Sequence, residues 1–130
     1  LRAASELTPV VAALAAFAEG ITTITGVGHI RGHETDRLAA ISAELASVGV
    51  DASQTDDGLV IVGAGSAGEG LRPTRPLRSY ADHRLAHLAA LVGLVVPGVV
   101  VDDITAVDKT MPDFTSRWRA MLTQVAGAGR

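Results

Sequence analysis

Three features of the sequence predict an α/β fold. Apolar runs with helical spacing alternate with short β-branched runs, as where residues 7–18 give way to residues 21–25. Gly or Pro marks most of these changes, at Gly20, Gly49, Gly58 and Pro97-Gly98. The plan also repeats: buried helix, Gly-led strand, charged loop, amphipathic helix. Gly20 and Gly98 start the two strands at an offset of 78 residues. A chain of 130 residues suits one domain and buries roughly two-thirds of its unfolded surface. With 48% hydrophobic but only 3% aromatic residues, its core is expected to be built from Ala, Val, Leu and Ile.

Taken in order, residues 7–18 (LTPVVAALAAFA) read as a buried helix with Ser5 as cap, Pro9 in its first turn and Gly20 as its stop. Residues 21–25 (ITTIT) read as a strand. The helix after them carries Leu38, Ile41 and Leu45 as one apolar stripe and ends near Ser47, before Gly49. Its start is placed at or just before Glu34, with Thr35 or Glu34 serving the first turn and Glu34 beside Arg37. Residues 50–53 and 59–62 form strands around an Asp56-Asp57-Gly58 turn. Residues 63–70 (GAGSAGEG) are a flexible loop lacking the Lys-Ser/Thr of a phosphate loop, so nucleotide binding is not predicted. Residues 71–80, with two prolines, suit an edge strand or extended link. Residues 82–94 form a second apolar helix, and 99–101 a buried strand. A loop over 102–111 then leads to a last helix opened by Pro112, with Phe114, Trp118, Met121 and Leu122 as its apolar face and a frayed end from Ala126.

The net charge of −3 and pI near 5.7 argue against a general nucleic-acid binder. The absence of cysteine removes disulfide scaffolds and thiolate metal sites. With no bilayer-length apolar run and no secretory leader, a cytoplasmic protein without membrane partners is expected. The chain starts at Leu1 rather than Met and runs at once into a helix-like segment, so it reads as part of something longer.

The chemistry gathers at helix starts. The 78-residue offset sets Glu6 opposite Arg84 and Arg31 opposite Lys109. Two units packed with parallel helices would carry Glu6, His33 and Glu34, Arg84 and Lys109 towards one end. Free N–H groups there, together with Arg37, Arg84 and Lys109, would suit an anion. Ordinary readings stand beside this one. Arg84 pairs with its own Asp82, Lys109 is a solvated loop lysine, Glu6 offsets a helix dipole, and His29 and His33 are polar surface residues. His83 and His87 share a helix face, but no HExxH glutamate separates them, and a metal is not predicted.

Three segments, residues 31–38 (RGHETDRL), 80–84 (YADHR) and 109–114 (KTMPDF), resemble the 5-enolpyruvylshikimate-3-phosphate synthase family, the 3-phosphoshikimate 1-carboxyvinyltransferases of the shikimate pathway. Their order and separations agree with the family's C-terminal part across nearly the whole chain. The UDP-N-acetylglucosamine enolpyruvyl transferases share that fold but differ around ETDRL, and are the second reading. The resemblance implies two βαβαββ-type units of an enolpyruvyl transferase C-terminal domain, residues 1–63 and 64–130, without the N-terminal domain. It implies catalytic roles for Glu6, Glu34, Lys109 and His83. It implies phosphoenolpyruvate binding by Glu34, Arg37, Arg84 and Lys109, and shikimate 3-phosphate contacts from Glu6, His29 and His33. Glu6 stands where the family has an aspartate, His33 where many members have a lysine, and Met111 where Phe is commoner. No metal or organic cofactor is implied. The chain alone is expected to be inactive and to self-associate, whereas the whole enzyme is expected to be a monomer. A non-catalytic α/β scaffold or interaction module is the alternative from another class.

Overall fold

The computed structural model describes residues 1–128. A 3-10 turn, Arg2–Leu7, leads into α1, Thr8–Ala16, and then β1, Ile21–Ile24. A second 3-10 turn, Gly28–Gly32, precedes α2, Arg37–Ser47, and the hairpin of β2, Asp51–Gln54, and β3, Leu59–Val62. After a long extended link come α3, His83–Gly93, a 3-10 turn at Ile104–Val107, and α4, Phe114–Ala128. The class is α/β, as expected from the alternation of patterns.

The sheet has the order β1-β3-β2 and is antiparallel throughout, with Ile24 and Gln54 both opposite Leu59. The hairpin turns at 56–58 as the Asp-Asp-Gly signal requires. Leu59 and Ile61 of the central strand are fully buried, because period-two alternation sends both to one face. They join Leu38, Ile41 and Leu45 of α2 and Leu85, Leu88 and Val92 of α3 in one core. The alanines of α1 (Ala12, Ala13, Ala15, Ala16) let it lie against α3 with little side-chain bulk between them. Ala86, Ala106, Val107 and Phe114 form a smaller cluster under α4.

Several elements differ from expectation. Helix α1 starts at Thr8, and Ser5 acts through its carbonyl, which accepts the Thr8 hydroxyl at 2.6 Å. Helix α2 starts at Arg37, because Asp36 accepts the N–H of Ala39 at 3.1 Å and caps the helix there. Glu34 therefore stays outside the helix. Helix α4 starts at Phe114, after a turn in which Asp113 has φ 62°, and Met121 and Leu122 of its expected apolar face are exposed. The helix continues through Ala128, so the fraying expected from Ala126 is not seen there, and residues 129–130 lie outside the described residues.

The expected strand at 99–101 makes only a single parallel bridge, Val101 to Leu77, since no further strand lies beside it among the described residues. The Gly-rich stretch begins as a strap rather than a free loop. Ala64 N–H donates to Ala16 at 2.8 Å and Gly65 N–H to Ala18 at 3.1 Å, satisfying carbonyls that the end of α1 leaves open. A Cβ on Gly63 would come within 2.0 Å of Ala18 O, so that approach needs glycine. Shifting by 78 lays α1 over α3 and α2 over α4, while the 28–32 turn falls at 106–110, overlapping the 104–107 turn only at its end. Among the described residues no helix is long and apolar enough to cross a membrane.

Candidate functional site

Two helix starts face each other, and both are held by aspartates. Asp36 caps α2 and so makes Arg37 its first residue. Asp82 caps α3 by accepting the Arg84 N–H at 2.9 Å, which puts His83 and Arg84 in its first turn. Asp82 also receives Arg37 Nε at 2.8 Å and Nη2 at 3.2 Å in a two-pronged pair. Both side chains are out of solvent, Arg37 at 2% exposure and Asp82 at 0%.

Glu6 reaches the same place from the 3-10 turn before α1. Its Oε2 accepts Arg37 Nη1 at 2.9 Å and lies 3.5 Å from Arg84 Nε. The latter contact is an ion pair without a hydrogen bond, and Arg84 Nε, shut off from solvent, has no hydrogen-bond partner among the described residues. Glu6 Oε1 lies 3.1 Å from His33 Nδ1, which is also 3.0 Å from Arg37 Nη1. That nitrogen donates to Glu6 when protonated and accepts from Arg37 when not. It cannot do both at once.

The remaining expected residues sit around this set. Glu34 is exposed and lies 3.4 Å from His83 Nδ1, so the expected pairing of Glu34 with Arg37 is replaced by one with α3. His29 Nε2 is 2.9 Å from Ser5 Oγ, and its ring meets His33 edge-on at 6.0 Å. Lys109 is exposed on the turn before α4, and none of the ion pairs among the described residues involves it. Its neighbours Thr110 and Met111 line a pocket of about 210 Å³ with His83, Arg84 and His87. Arg84 does not pair its guanidinium with Asp82. Only its backbone N–H does so.

Partial burial pushes the Glu6 carboxyl up, but the Arg37 hydrogen bond and the charges of Arg37, His33 and Arg84 outweigh it and hold Glu6 below the usual carboxylate range. Burial likewise lowers Arg37, and the bonds and charges of Asp82 and Glu6 more than reverse this. Glu6 and Arg37 are thus ionised at neutral pH, with Glu6 occupying the cationic groups. Ligand atoms of Glu34, Asp82 and His83 come within 4.8 Å of one another. Both Asp82 oxygens already accept N–H donors, and a guanidinium lies against them, so this trio is poorly suited to a cation. Sequence reasoning weighed Asp82 only as a partner for Arg84. The available signal was its place directly before a helical apolar run, which marks a cap.

His87 adds a pH response. It is half-buried beside Phe114, with ring centroids 5.4 Å apart, and its Nε2 has no hydrogen-bond partner. Burial, then the Arg84 and His83 charges, lower its pKa, with Asp82 acting weakly the other way. The unfolded chain therefore binds this proton more readily, and stability falls as pH drops from the ordinary histidine value through the lowered one. His87→Leu is expected to be as stable as the parent at neutral pH, or up to about 1 kcal/mol more so. Its advantage should widen at about pH 5. Thermal melts of both proteins at the two pH values check this, and parallel losses on acidification would refute it.

Two carboxylates, Glu6 and Asp82, and two guanidinium groups, Arg37 and Arg84, thus converge at two helix starts of an α/β domain. A family model described as EPSP synthase (3-phosphoshikimate 1-carboxyvinyltransferase) matches residues 1–118, and the chain belongs to that family. The 3-phosphoshikimate 1-carboxyvinyltransferase of Mycobacterium ulcerans (strain Agy99) is 49% identical over 131 aligned residues, covering 98% of this chain and 28% of that protein. Two structures of EPSP synthase from Acinetobacter baumannii are similar in fold. One has a TM-score of 0.71 at 31% identity over 83% of this chain, and the other 0.74 at 28% over 86%. The chain covers 25% of each of those two. It therefore spans about a quarter of the length of these relatives.

Proposed function

We propose that this chain supplies one wall of the active site of a 3-phosphoshikimate 1-carboxyvinyltransferase. That enzyme moves the enolpyruvyl group of phosphoenolpyruvate onto the 5-hydroxyl of shikimate 3-phosphate and releases phosphate. The carrying observation is the Glu6–Arg37–Arg84 cluster between two helix starts. Arg37, Arg84 and Lys109 clamp the phosphoenolpyruvate anion, and Glu34 borders it. An incoming anion competes with Glu6 for Arg37 and Arg84 and so frees that carboxylate. Glu6 then takes the proton of the attacking hydroxyl while its oxygen bonds to C2. Glu34 and Lys109 deliver a proton to the methylene carbon, and His83, beside Glu34, orients that carboxylate. Phosphate leaves C2, the methyl carbon returns a proton, and the double bond reforms. His29 and His33 face shikimate 3-phosphate. Every step is acid–base and electrostatic, carried by side chains.

In this layout the chain is two repeat units divided near residue 63, with Arg84 and the Lys109 loop at the same end as Glu6 and Arg37. The partner required is the remaining portion of such an enzyme, with a cytoplasmic setting. The exposed apolar residues Leu94, Val100, Met121, Leu122 and Val125 support self-association of the chain by itself.

Phosphate release from phosphoenolpyruvate plus shikimate 3-phosphate tests the proposal. It is measured with the chain alone and with a separately made remainder of a relative. Activity is expected only in the mixture. Arg84→Ala or Lys109→Ala is then expected to lower kcat/KM by about a hundredfold or more. For the exposed Lys109, stability should stay within about 0.5 kcal/mol. Silence in both preparations, with the chain folded, would point instead to a non-catalytic module.

A further inference from the structure

Helix α2 carries two charged, buried residues on one face, Arg37 and Glu44, seven positions and about two turns apart. Arg37 holds Asp82, as described above. Glu44, 1% exposed, accepts four hydrogen bonds from a single stretch of the link. Arg75 Nη1 and Nη2 each donate at 2.9 Å, the Arg78 N–H at 2.9 Å and the Tyr80 hydroxyl at 2.7 Å. Burial alone would raise this carboxyl, but the bonds from Arg75, Tyr80 and Arg78 hold it below the usual range and keep it an acceptor. Both ends of residues 75–82 are therefore fastened to the same helix.

Between the fastenings the backbone turns through two consecutive left-handed residues, Tyr80 at φ 58° and Ala81 at φ 54°. Neither is glycine, and such a corner persists only where its surroundings impose it. The corner ends at Asp82, the residue that caps α3 and grips Arg37. Ser79 N–H, bonded to Asp102 at 2.9 Å, steadies it from the other side.

We infer that Glu44 is a positioning residue, which with Arg75 and Tyr80 holds the strained Tyr80–Ala81 corner so that Asp82 sets Arg37 and Arg84 for an anion. Its consequence for substrate rests on the function proposed above; the clamp does not. Glu44 touches no member of the Glu6–Arg37–Arg84 cluster and acts through the corner alone.

The test uses Tyr80→Phe, which removes one hydroxyl, and Glu44→Gln, which keeps the shape but turns one acceptor into a donor. Exchange of the Arg37 Nε–H with solvent is followed by NMR in the chain, beside the amides of β1, β2 and β3. Tyr80→Phe is expected to speed Arg37 Nε–H exchange on the order of tenfold with the sheet amides unchanged. Ala81→Gly, which removes the left-handed penalty, should restore slow exchange when added to Tyr80→Phe. Equal acceleration of Arg37 and the sheet amides, or an unchanged Arg37, would overturn the clamp. In the reconstituted enzyme, Tyr80→Phe should raise KM for phosphoenolpyruvate about tenfold with kcat within about twofold. Faster Arg37 exchange with an unaltered KM would leave the clamp standing and count against Arg37 as a substrate ligand.

Discussion

Asp82→Ala is expected to lower unfolding free energy by about 3–5 kcal/mol, the usual loss when one partner of a buried ion pair is removed. Arg37, at 2% exposure, would keep only the half-exposed Glu6 as a carboxylate partner. The Arg84 N–H would also lose its cap, which by itself costs about 1 kcal/mol. Against a total stability of about 5–15 kcal/mol, such a loss removes between about a fifth and the whole of the margin. Urea titration followed by circular dichroism measures it. Replacing both partners with apolar residues, Arg37→Met with Asp82→Leu, should cost clearly less than the two single changes together, since no charge is then stranded. A loss under about 1 kcal/mol for Asp82→Ala would show that Arg37 finds water or another acceptor.

Gly58→Ala is expected to cost about 3 kcal/mol or more, at the upper end for overpacking, because the obstruction is main chain. A Cβ there would lie 1.7 Å from Ile24 O and 2.7 Å from Ile24 C. Moving the turn away would pull Asp57 from the loop after β1, where its carbonyl accepts the Val27 N–H at 2.8 Å and its carboxylate the Gly26 N–H at 3.0 Å. The 3-10 turn that carries His29 and Arg31 and leads to His33 follows directly, so the site would loosen with the sheet. Gly32→Ala serves as the control. No atom lies within 4 Å of its Cβ position, and a change within about 0.5 kcal/mol is expected. Comparable losses for both glycines would mean that the close approach of the hairpin to β1 is not what limits position 58.

Much of the fold was legible because its signals are local. The stripe of Leu38, Ile41 and Leu45, the Asp56-Asp57-Gly58 turn and the β-branched run at 21–25 each state their conformation within a few residues. Where local signals competed, the reading slipped. Thr35, Glu34 and Asp36 all suit a helix start, and the Asp36 side chain, within reach of the Ala39 N–H, decided it. The strand pattern at 99–101 was read from composition, but a strand needs a neighbour, and among the described residues only Leu77 bridges to it.

The sequence by itself determined the α/β class and the family, and it placed Arg37 and Arg84 in the first turns of helices. Only the tertiary structure decided who holds whom. Arg37 was expected beside Glu34, three positions away, yet it is bound by Asp82, 45 positions on, and by Glu6, 31 positions back. Glu44 looked like one more helix residue until the link at 75–80 closed over it. Periodicity and capping act over one or two turns of chain. A buried charge takes its partner from whatever the packed core brings within about 3 Å, and no local pattern specifies that.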